Sequence, residues 1–232
     1  MSLHHIKIIA FDADDTLWDC QSHFDAIEQE YLQLIHEFGD SSQIADELFA
    51  TEKANMPILG YGSKAFTISM LEEALHVSNG RVSSAVIQQI ILLGKSLLQM
   101  PAQPLPNVES TLKTLADSHR YKMILFTKGE IAEQTNKLKR SGLTRYFEDV
   151  EITGDKTEDA YRRLCRIYDV NPEEMVMIGN SFKSDIAPAL AIGSYAIHIP
   201  YHINWKMEEA EEFDHKNLVK VARFDEILPF FL

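Results

Sequence analysis

The sequence predicts an α/β fold in which a doubly wound parallel sheet carries an inserted all-helical segment. Three observations lead to this prediction. Short, nearly continuous apolar runs alternate with amphipathic helical patterns, which is typical of a parallel sheet covered on both faces. Each apolar run stops where polar residues begin. One long stretch after the first run has helical periodicity and no convincing strand.

Four apolar runs are predicted to be buried strands. They cover residues 6–11, 121–126, 175–178 and 195–199, and the residues that follow them are Asp12, Thr127, Gly179 and Pro200. The carboxyl ends of parallel strands meet at one edge of the sheet, which is the usual ligand site of such folds. We therefore look for chemistry at these strand ends.

Residues 18–104 are predicted to form a helical cap domain, inserted into a core domain made of residues 1–17 and 105–232. Apolar stripes with helical spacing occur at residues 24–38, 44–49, 66–75 and 86–98. Three prolines, Pro101, Pro104 and Pro106, then predict a stiff, extended return to the core.

Composition narrows the possible partners and the compartment. The 22 Lys and Arg residues against 35 Asp and Glu residues give a net charge of −13. This balance argues against nucleic acid and against anionic membrane surfaces. The apolar runs are much shorter than the roughly 18 residues of a membrane span, and no signal peptide is readable. With only Cys20 and Cys165, we expect a cytoplasmic protein with free thiols.

The first strand end carries two carboxylates, Asp12 and Asp14, that can point into one crevice. A carboxylate is a competent nucleophile towards phosphorus, and a second carboxyl can act as general acid and base. The alternative is a solvated, Asp-rich turn that merely caps the strand.

The other strand ends carry residues suited to a phosphoryl group and a cation. Thr127-Lys128-Gly129 offers a hydroxyl and backbone N–H groups, and Lys156 offers a positive charge. After the third strand, the stretch from Gly179 through Asn180 ends in Asp185, which is either a hard oxygen ligand for Mg²⁺ or a helix N-cap. Taken singly, each has a plain structural explanation as a turn, a surface lysine or a cap.

The order of these motifs resembles that of the haloacid dehalogenase-like hydrolase superfamily along the whole chain. The stretch Phe-Asp-Ala-Asp-Asp-Thr-Leu-Trp at residues 11–18 is the most specific part, and a helical insertion directly after it is similar to the C1 cap type. The resemblance implies a Rossmann-like core and the following roles. Asp12 would be the nucleophile and Asp14 the general acid and base. Thr127, Lys128 and Lys156 would bind phosphate, with Lys156 also neutralising the nucleophile. Asp12, the Asp14 carbonyl and Asp185 would hold Mg²⁺.

Two features of the sequence refine these expectations. The acid at Asp14 favours phosphomonoester hydrolysis over dehalogenation, because an alkoxide needs a proton to leave and a halide does not. Its surroundings should therefore raise the pKa of Asp14. Asn180 stands where relatives commonly have an acid, so we expect it to bind the metal weakly or through water and to lower the affinity for Mg²⁺.

The resulting expectation is a Mg²⁺-dependent hydrolase of a small phosphomonoester that forms an aspartyl-phosphate. A phosphosugar mutase, a phospho-Asp signalling module and a scaffold without turnover stay as alternatives, and the oligomeric state is open. His198 and Trp18 are expected to pack in the core. The acidic run at residues 208–212 is expected to be the solvated face of a helix.

Overall fold

A six-stranded parallel sheet forms the centre of the larger of two units in a computed structural model of the chain, which describes residues 3–232. Every neighbouring pair of strands is parallel. The strands lie in the order β3-β2-β1-β4-β5-β6. Their bounds are β1 Ile8–Phe11, β2 Lys122–Lys128, β3 Asp149–Thr153, β4 Met175–Gly179, β5 Tyr195–His198 and β6 Leu218–Lys220. The predicted α/β fold is confirmed.

Two of these strands were not among the four predicted. β3 is only half-buried and its apolar residues alternate with polar ones, because it lies at an edge of the sheet. β6, at the opposite edge, has three residues. Such short or half-exposed strands lack the continuous apolar run by which buried parallel strands are recognised.

Helices cover both faces of the sheet. They are α5 Val108–Asp117, α6 Ile131–Ser141, α7 Glu158–Ile167 and α8 Ala187–Ala191. Thr157 caps α7 by accepting the Ala160 N–H. Alternating residues of β1 divide between two apolar clusters: Ile9 and Phe11 pack with α5 residues, whereas Ile8 and Ala10 pack with α7 residues.

The second unit, Ser22–Pro101, is helical. The helices are α1 Gln21–Leu34, α2 Ser41–Leu59, α3 Ser63–Val77 and α4 Ser84–Leu97. Asp40 caps α2 and Ser83 caps α4, each by accepting backbone N–H groups of the first turn. Of the residues that the structure describes, the first unit contains 3–21 and 102–232. Within residues 3–232, none of the helices is long and apolar enough to cross a bilayer.

The expectation of a helix at residues 208–212 is wrong. A single 3₁₀ turn, Lys206–Glu208, is followed by irregular chain. Glu208 is not solvated but lies against the carboxyl edge of the sheet, where it accepts hydrogen bonds from Ser181 and Ser184. The acidic run was expected to be solvated, but the charge of a residue in the sequence does not show whether its carboxylate is paired or hydrated.

The register places the carboxyl ends of β1, β2 and β4 side by side. Phe11 of β1 is paired with Leu125 of β2 on one side and with Ile178 of β4 on the other. The chain segments that follow β1, β2 and β4 therefore begin at the same edge of the sheet, with the β1 segment in the middle.

Candidate active site

Asp12 follows β1 and is surrounded by groups from three segments of the chain. Its backbone N–H donates to the Ile178 carbonyl at 2.9 Å, which extends the β1–β4 ladder by one residue. Its Oδ2 accepts a hydrogen bond from the Thr16 hydroxyl at 2.9 Å, and its Oδ1 accepts one from the Lys156 ammonium at 2.5 Å. The carboxylate is thus buried with both oxygens oriented.

Lys156 lies in the loop between β3 and α7, directly before the cap residue Thr157. Its Nζ donates to Asp12 Oδ1 and, at 2.6 Å, to Asp185 Oδ1. The lysine side chain is 1% exposed, so this is a buried ammonium between two carboxylates. The structure brings these three predicted residues together although 144 positions separate Asp12 from Lys156.

Asp185 lies in a single π-helical turn, Phe182–Ile186, that follows β4. Ser181 caps this turn by accepting the Ser184 N–H at 3.0 Å, so Asp185 is not the cap. The Ser181 N–H in turn donates to Asp185 Oδ2 at 2.9 Å. A Cβ at Gly179 would collide with the Asp185 carboxylate. Glycine is therefore required at position 179, because the Asp185 side chain lies directly over it.

The electrostatics of this cluster are dominated by burial. Burial, and then the charge of Asp185, raise the pKa of Asp12 to about 7, against the lowering effect of Lys156. Burial alone would lower the pKa of Lys156, but the two carboxylates raise it above its usual range. The ammonium stays charged, and one positive charge faces two buried carboxyl groups.

The expectation of a raised pKa for Asp14 is wrong. Burial does raise it, but Lys137, Gln134 and Trp18 together hold the pKa of Asp14 below its ordinary value. Lys137 Nζ donates to Oδ1 at 2.8 Å and to Oδ2 at 2.7 Å. Gln134 Nε2 donates to Oδ2 at 2.8 Å, and Trp18 Nε1 to Oδ1 at 2.7 Å. Four donor contacts favour the ionised form of this carboxyl.

Thr127 and Lys128 end β2. The Thr127 side chain is buried, whereas the Lys128 side chain extends away from its own strand. Its Nζ forms an ion pair with Glu208 and lies 2.8 Å from Ser184 Oγ in the turn after β4. The Lys128 carbonyl accepts a hydrogen bond from Gln134 Nε2 at 2.7 Å.

Asn180 is connected to Asp12 through Thr16. Its backbone N–H donates to Thr16 Oγ1 at 3.0 Å, and its Oδ1 lies 3.0 Å from the same oxygen. His198 at the end of β5 donates from Nε2 to the Asn180 carbonyl at 2.9 Å. Its Nδ1 is buried with no partner among the described residues, and burial lowers the pKa of His198.

The donor set fits a hard divalent cation. Asp12 and Asp185 direct oxygens at the same Nζ atom, and the Asp14 carbonyl comes from the segment that follows β1. Carboxylate and carbonyl oxygens are the ligands that Mg²⁺ takes in proteins. Two buried carboxylates that face one ammonium leave an excess of negative charge, which a second cation would balance.

Sequence reasoning missed four residues of this site. Gln134 and Lys137 lie one turn apart on α6 and are both buried. In the sequence alone, nothing distinguishes this pair from the exposed polar residues of the same helix. Thr16 was quoted within the first motif without a role, and Glu208 was assigned to solvent. Trp18 is completely buried, as expected, but also donates its indole N–H to Asp14.

Several known proteins are similar to this chain along most of its length. The curated glyceraldehyde 3-phosphate phosphatase of Methanothermobacter thermautotrophicus is 27% identical over 96% of each chain. The phosphoglycolate phosphatase of Vibrio vulnificus is 25% identical over 88% of each. The crystal structure of a haloacid dehalogenase-like family hydrolase from Xanthomonas campestris superposes with a TM-score of 0.84 and 32% identity, covering 94% of this chain and 87% of that one. The sequence model of the haloacid dehalogenase-like hydrolases matches residues 6–193, and the chain belongs to that family.

Proposed function

We propose that this hydrolase is a Mg²⁺-dependent phosphatase that cleaves a small phosphorylated metabolite through an aspartyl-phosphate on Asp12. The observation that carries the proposal is the buried Lys156 ammonium, which contacts both the Asp12 and the Asp185 carboxylates. Related proteins named as phosphatases of glyceraldehyde 3-phosphate and phosphoglycolate support a small phosphomonoester as the substrate.

In the first step, an Asp12 oxygen attacks phosphorus and the bond to the ester oxygen breaks. Thr16 and Lys156 orient the carboxylate before the attack, so little rotational freedom is lost at the transition state. Lys156 also offsets repulsion between the anionic nucleophile and the anionic phosphate. The Thr127 hydroxyl and the N–H groups at the end of β2 are proposed to bind the phosphoryl oxygens, with Lys128 beside them.

Asp12, the Asp14 carbonyl and Asp185 would hold Mg²⁺, with Asn180 nearby as a weak or water-mediated ligand. When bound, the ion supplies positive charge that stabilises the charge developing on the phosphoryl oxygens. The affinity is expected to be modest, because Asn180 contributes a neutral oxygen where a carboxylate would contribute charge.

Asp14 is proposed to give a proton to the leaving alkoxide and to take one from the water that hydrolyses the aspartyl-phosphate. Lys137, Gln134 and Trp18 occupy both of its oxygens. To act as an acid, Asp14 must therefore exchange at least one of these contacts when the substrate enters. Lys137 lowers the pKa of Asp14. Weakening that contact therefore raises the pKa and favours the protonated form that the step needs.

The helical unit is proposed to serve as a cap that excludes water and selects the substrate. The bend Gly60-Tyr61-Gly62 between α2 and α3, with Lys53 and Lys64 on those helices, is the proposed specificity loop. Its lysines suit an anionic substrate.

The test is phosphate release from an aryl phosphate and from a panel of sugar, triose and two-carbon phosphates, with and without Mg²⁺. Asp12→Asn keeps the shape of the side chain and removes the nucleophile, so turnover should fall by at least about 10³-fold. Asp214→Asn, an exposed carboxylate in the same unit, is the matched control and should leave turnover unchanged.

The alternatives give different results in the same experiment. Isomerisation of a phosphosugar without net phosphate release would assign a mutase. A stable phosphoprotein after treatment with acetyl phosphate would assign a signalling module. No reaction by folded protein with any compound would overturn the proposal in favour of a scaffold.

A further inference from the structure

Glu208 is an almost buried carboxylate whose contacts all lie at the carboxyl edge of the sheet. Its side chain is 13% exposed. Its Oε1 forms an ion pair with Lys128, and its Oε2 accepts hydrogen bonds from the hydroxyls of Ser181 and Ser184, each at 2.5 Å. Next to it, the Met207 carbonyl accepts a hydrogen bond from Lys183 at 2.5 Å. The segment after β5 is thus tied to the turn after β4.

The hydrogen bonds of this network all lead towards Glu208: each serine oxygen accepts from a nitrogen, and each serine hydroxyl donates to the carboxylate. Ser181 Oγ accepts the Ser184 N–H, and Ser184 Oγ accepts from Lys128 Nζ. Each hydroxyl therefore has its own proton available for Glu208 Oε2. Because a serine hydroxyl has one proton, the two serines fix the orientation of the carboxylate, and Oε1 is left to face the Lys128 ammonium.

The ion pair crosses the end of β1. Lys128 comes from the end of β2, whereas Ser184 comes from the turn after β4, and β1 lies between these two strands. Asp12 follows β1. The Lys128 side chain, only 14% exposed, therefore extends across the strand that carries the proposed nucleophile, with Glu208 at its far end.

We infer that Glu208 is a positioning residue, which holds the Lys128 ammonium at the place where the phosphate of the substrate binds. This inference rests on the proposed function. A lysine side chain places a compact charge on a flexible four-carbon stem. An unanchored ammonium must therefore be ordered by the substrate itself. That ordering reduces affinity. Glu208 orders it beforehand, and the effect belongs to binding, not to bond cleavage.

The experiment measures the Kd of inorganic phosphate by calorimetry in the presence of Mg²⁺, and the KM and kcat for any phosphomonoester that is hydrolysed. Glu208→Gln keeps the size of the side chain and removes the charge. We expect the Kd and KM to rise by up to about tenfold, the cost of ordering one lysine side chain on binding, while kcat changes by less than about threefold. Glu211→Gln, an exposed position in the same acidic run, is the control and should change neither.

A double-mutant cycle separates positioning from general stability. Lys128→Met should raise the phosphate Kd at least as much as Glu208→Gln does, and the double variant should bind phosphate no more weakly than Lys128→Met alone. Equal effects of Glu208→Gln on both backgrounds would overturn the inference. So would a Kd that does not change, even if the melting temperature falls.

The outcomes also distinguish this inference from the proposed function. If the wild type binds phosphate and the cycle is non-additive but no substrate is turned over, the positioning role stands and the phosphatase proposal fails. If turnover is found but Glu208→Gln leaves KM and Kd unchanged, the phosphatase proposal stands and Glu208 has no positioning role. Absence of phosphate binding by the folded wild type overturns the inference.

Discussion

The Lys137 ammonium donates to both carboxylate oxygens of Asp14, at 2.8 and 2.7 Å. The lysine is 2% exposed in its side chain and the aspartate 25%. The pair joins the middle of α6 to the segment after β1, so the proposed acid and base is held by a helix that packs beside its own site. Lys137 is the largest of the influences that lower the pKa of Asp14 and keep it ionised.

Lys137→Met should destabilise the protein and raise the pKa of Asp14. Removing one partner of a buried pair leaves the other charge uncompensated, at about 3–5 kcal/mol when both are fully buried. The partial exposure of Asp14 places the expected loss at about 2–3 kcal/mol at pH 7. Urea unfolding measures it.

Lys139→Met on the exposed face of the same helix is the control and should change stability by less than about 0.5 kcal/mol. Adding Asp14→Asn to Lys137→Met removes the uncompensated charge, so part of the lost stability should return. A double variant less stable than Lys137→Met would contradict this account.

Gly179→Ala should weaken Mg²⁺ binding as well as stability. The added methyl group would meet the Asp185 carboxylate, which must then move away from Lys156. Overpacking of this kind costs about 1–3 kcal/mol. Calorimetric titration with Mg²⁺ and urea unfolding measure the two effects.

Gly154→Ala is the matched control, since nothing lies within 4 Å of a Cβ at that position. It should leave Mg²⁺ affinity unchanged. If Gly179→Ala binds Mg²⁺ as the wild type does, Asp185 is not a ligand.

Asp15→Asn should stabilise the protein at pH 8. Burial raises the pKa of Asp15 from 3.8 to about 7, so between these values the folded chain binds more protons than the unfolded chain, and stability falls as pH rises. Asparagine keeps an oxygen for the Cys20 and Gln21 N–H groups that Asp15 Oδ1 accepts. It also tolerates the positive φ of 60° at this position.

Urea unfolding of Asp15→Asn and the wild type at pH 5 and pH 8 checks this prediction. The difference between the two proteins should grow towards pH 8. A variant that is less stable than the wild type at pH 8 would refute it.

His198→Gln should remove part of the acid sensitivity of the fold. Burial lowers the pKa of His198 from 6.5, so the unfolded chain binds the proton first as pH falls. The contribution of the neutral His198 to stability is therefore complete above about pH 6.5 and is lost progressively as the pH falls below that value. Glutamine can still donate to the Asn180 carbonyl but does not titrate.

Thermal unfolding between pH 5 and pH 8 measures the effect. The slope of stability against pH should be smaller in His198→Gln than in the wild type. The exposed His202 provides the control, and His202→Gln should keep the wild-type slope. Equal slopes in all three proteins would exclude His198 as the titrating group.

Predictability from the sequence differed between the two kinds of strand. β1, β2, β4 and β5 are buried on both faces, so each shows a continuous apolar run. The two edge strands show none. The start of α7 could be predicted because Thr157 caps it through a local contact.

The candidate site divides in a similar way. The polar residues that directly follow buried strands, Asp12 and Thr127, could be found from their positions alone. The lowered pKa of Asp14 could not, because it depends on Lys137, which is 123 residues away in the chain. The pairing of Glu208 with Lys128 spans 80 residues and could not be predicted from the sequence for the same reason.

The sequence by itself determined the strand ends, the order of the motifs and the helical character of the insertion. These follow from apolar periodicity and local chemistry, which act over a few residues. Only the tertiary structure decided which charges meet: Lys156 with Asp12 and Asp185, and Glu208 with Lys128. The physical reason is that the energy of a buried charge depends on partners brought near by the packing of distant segments, and a local pattern contains no information about them.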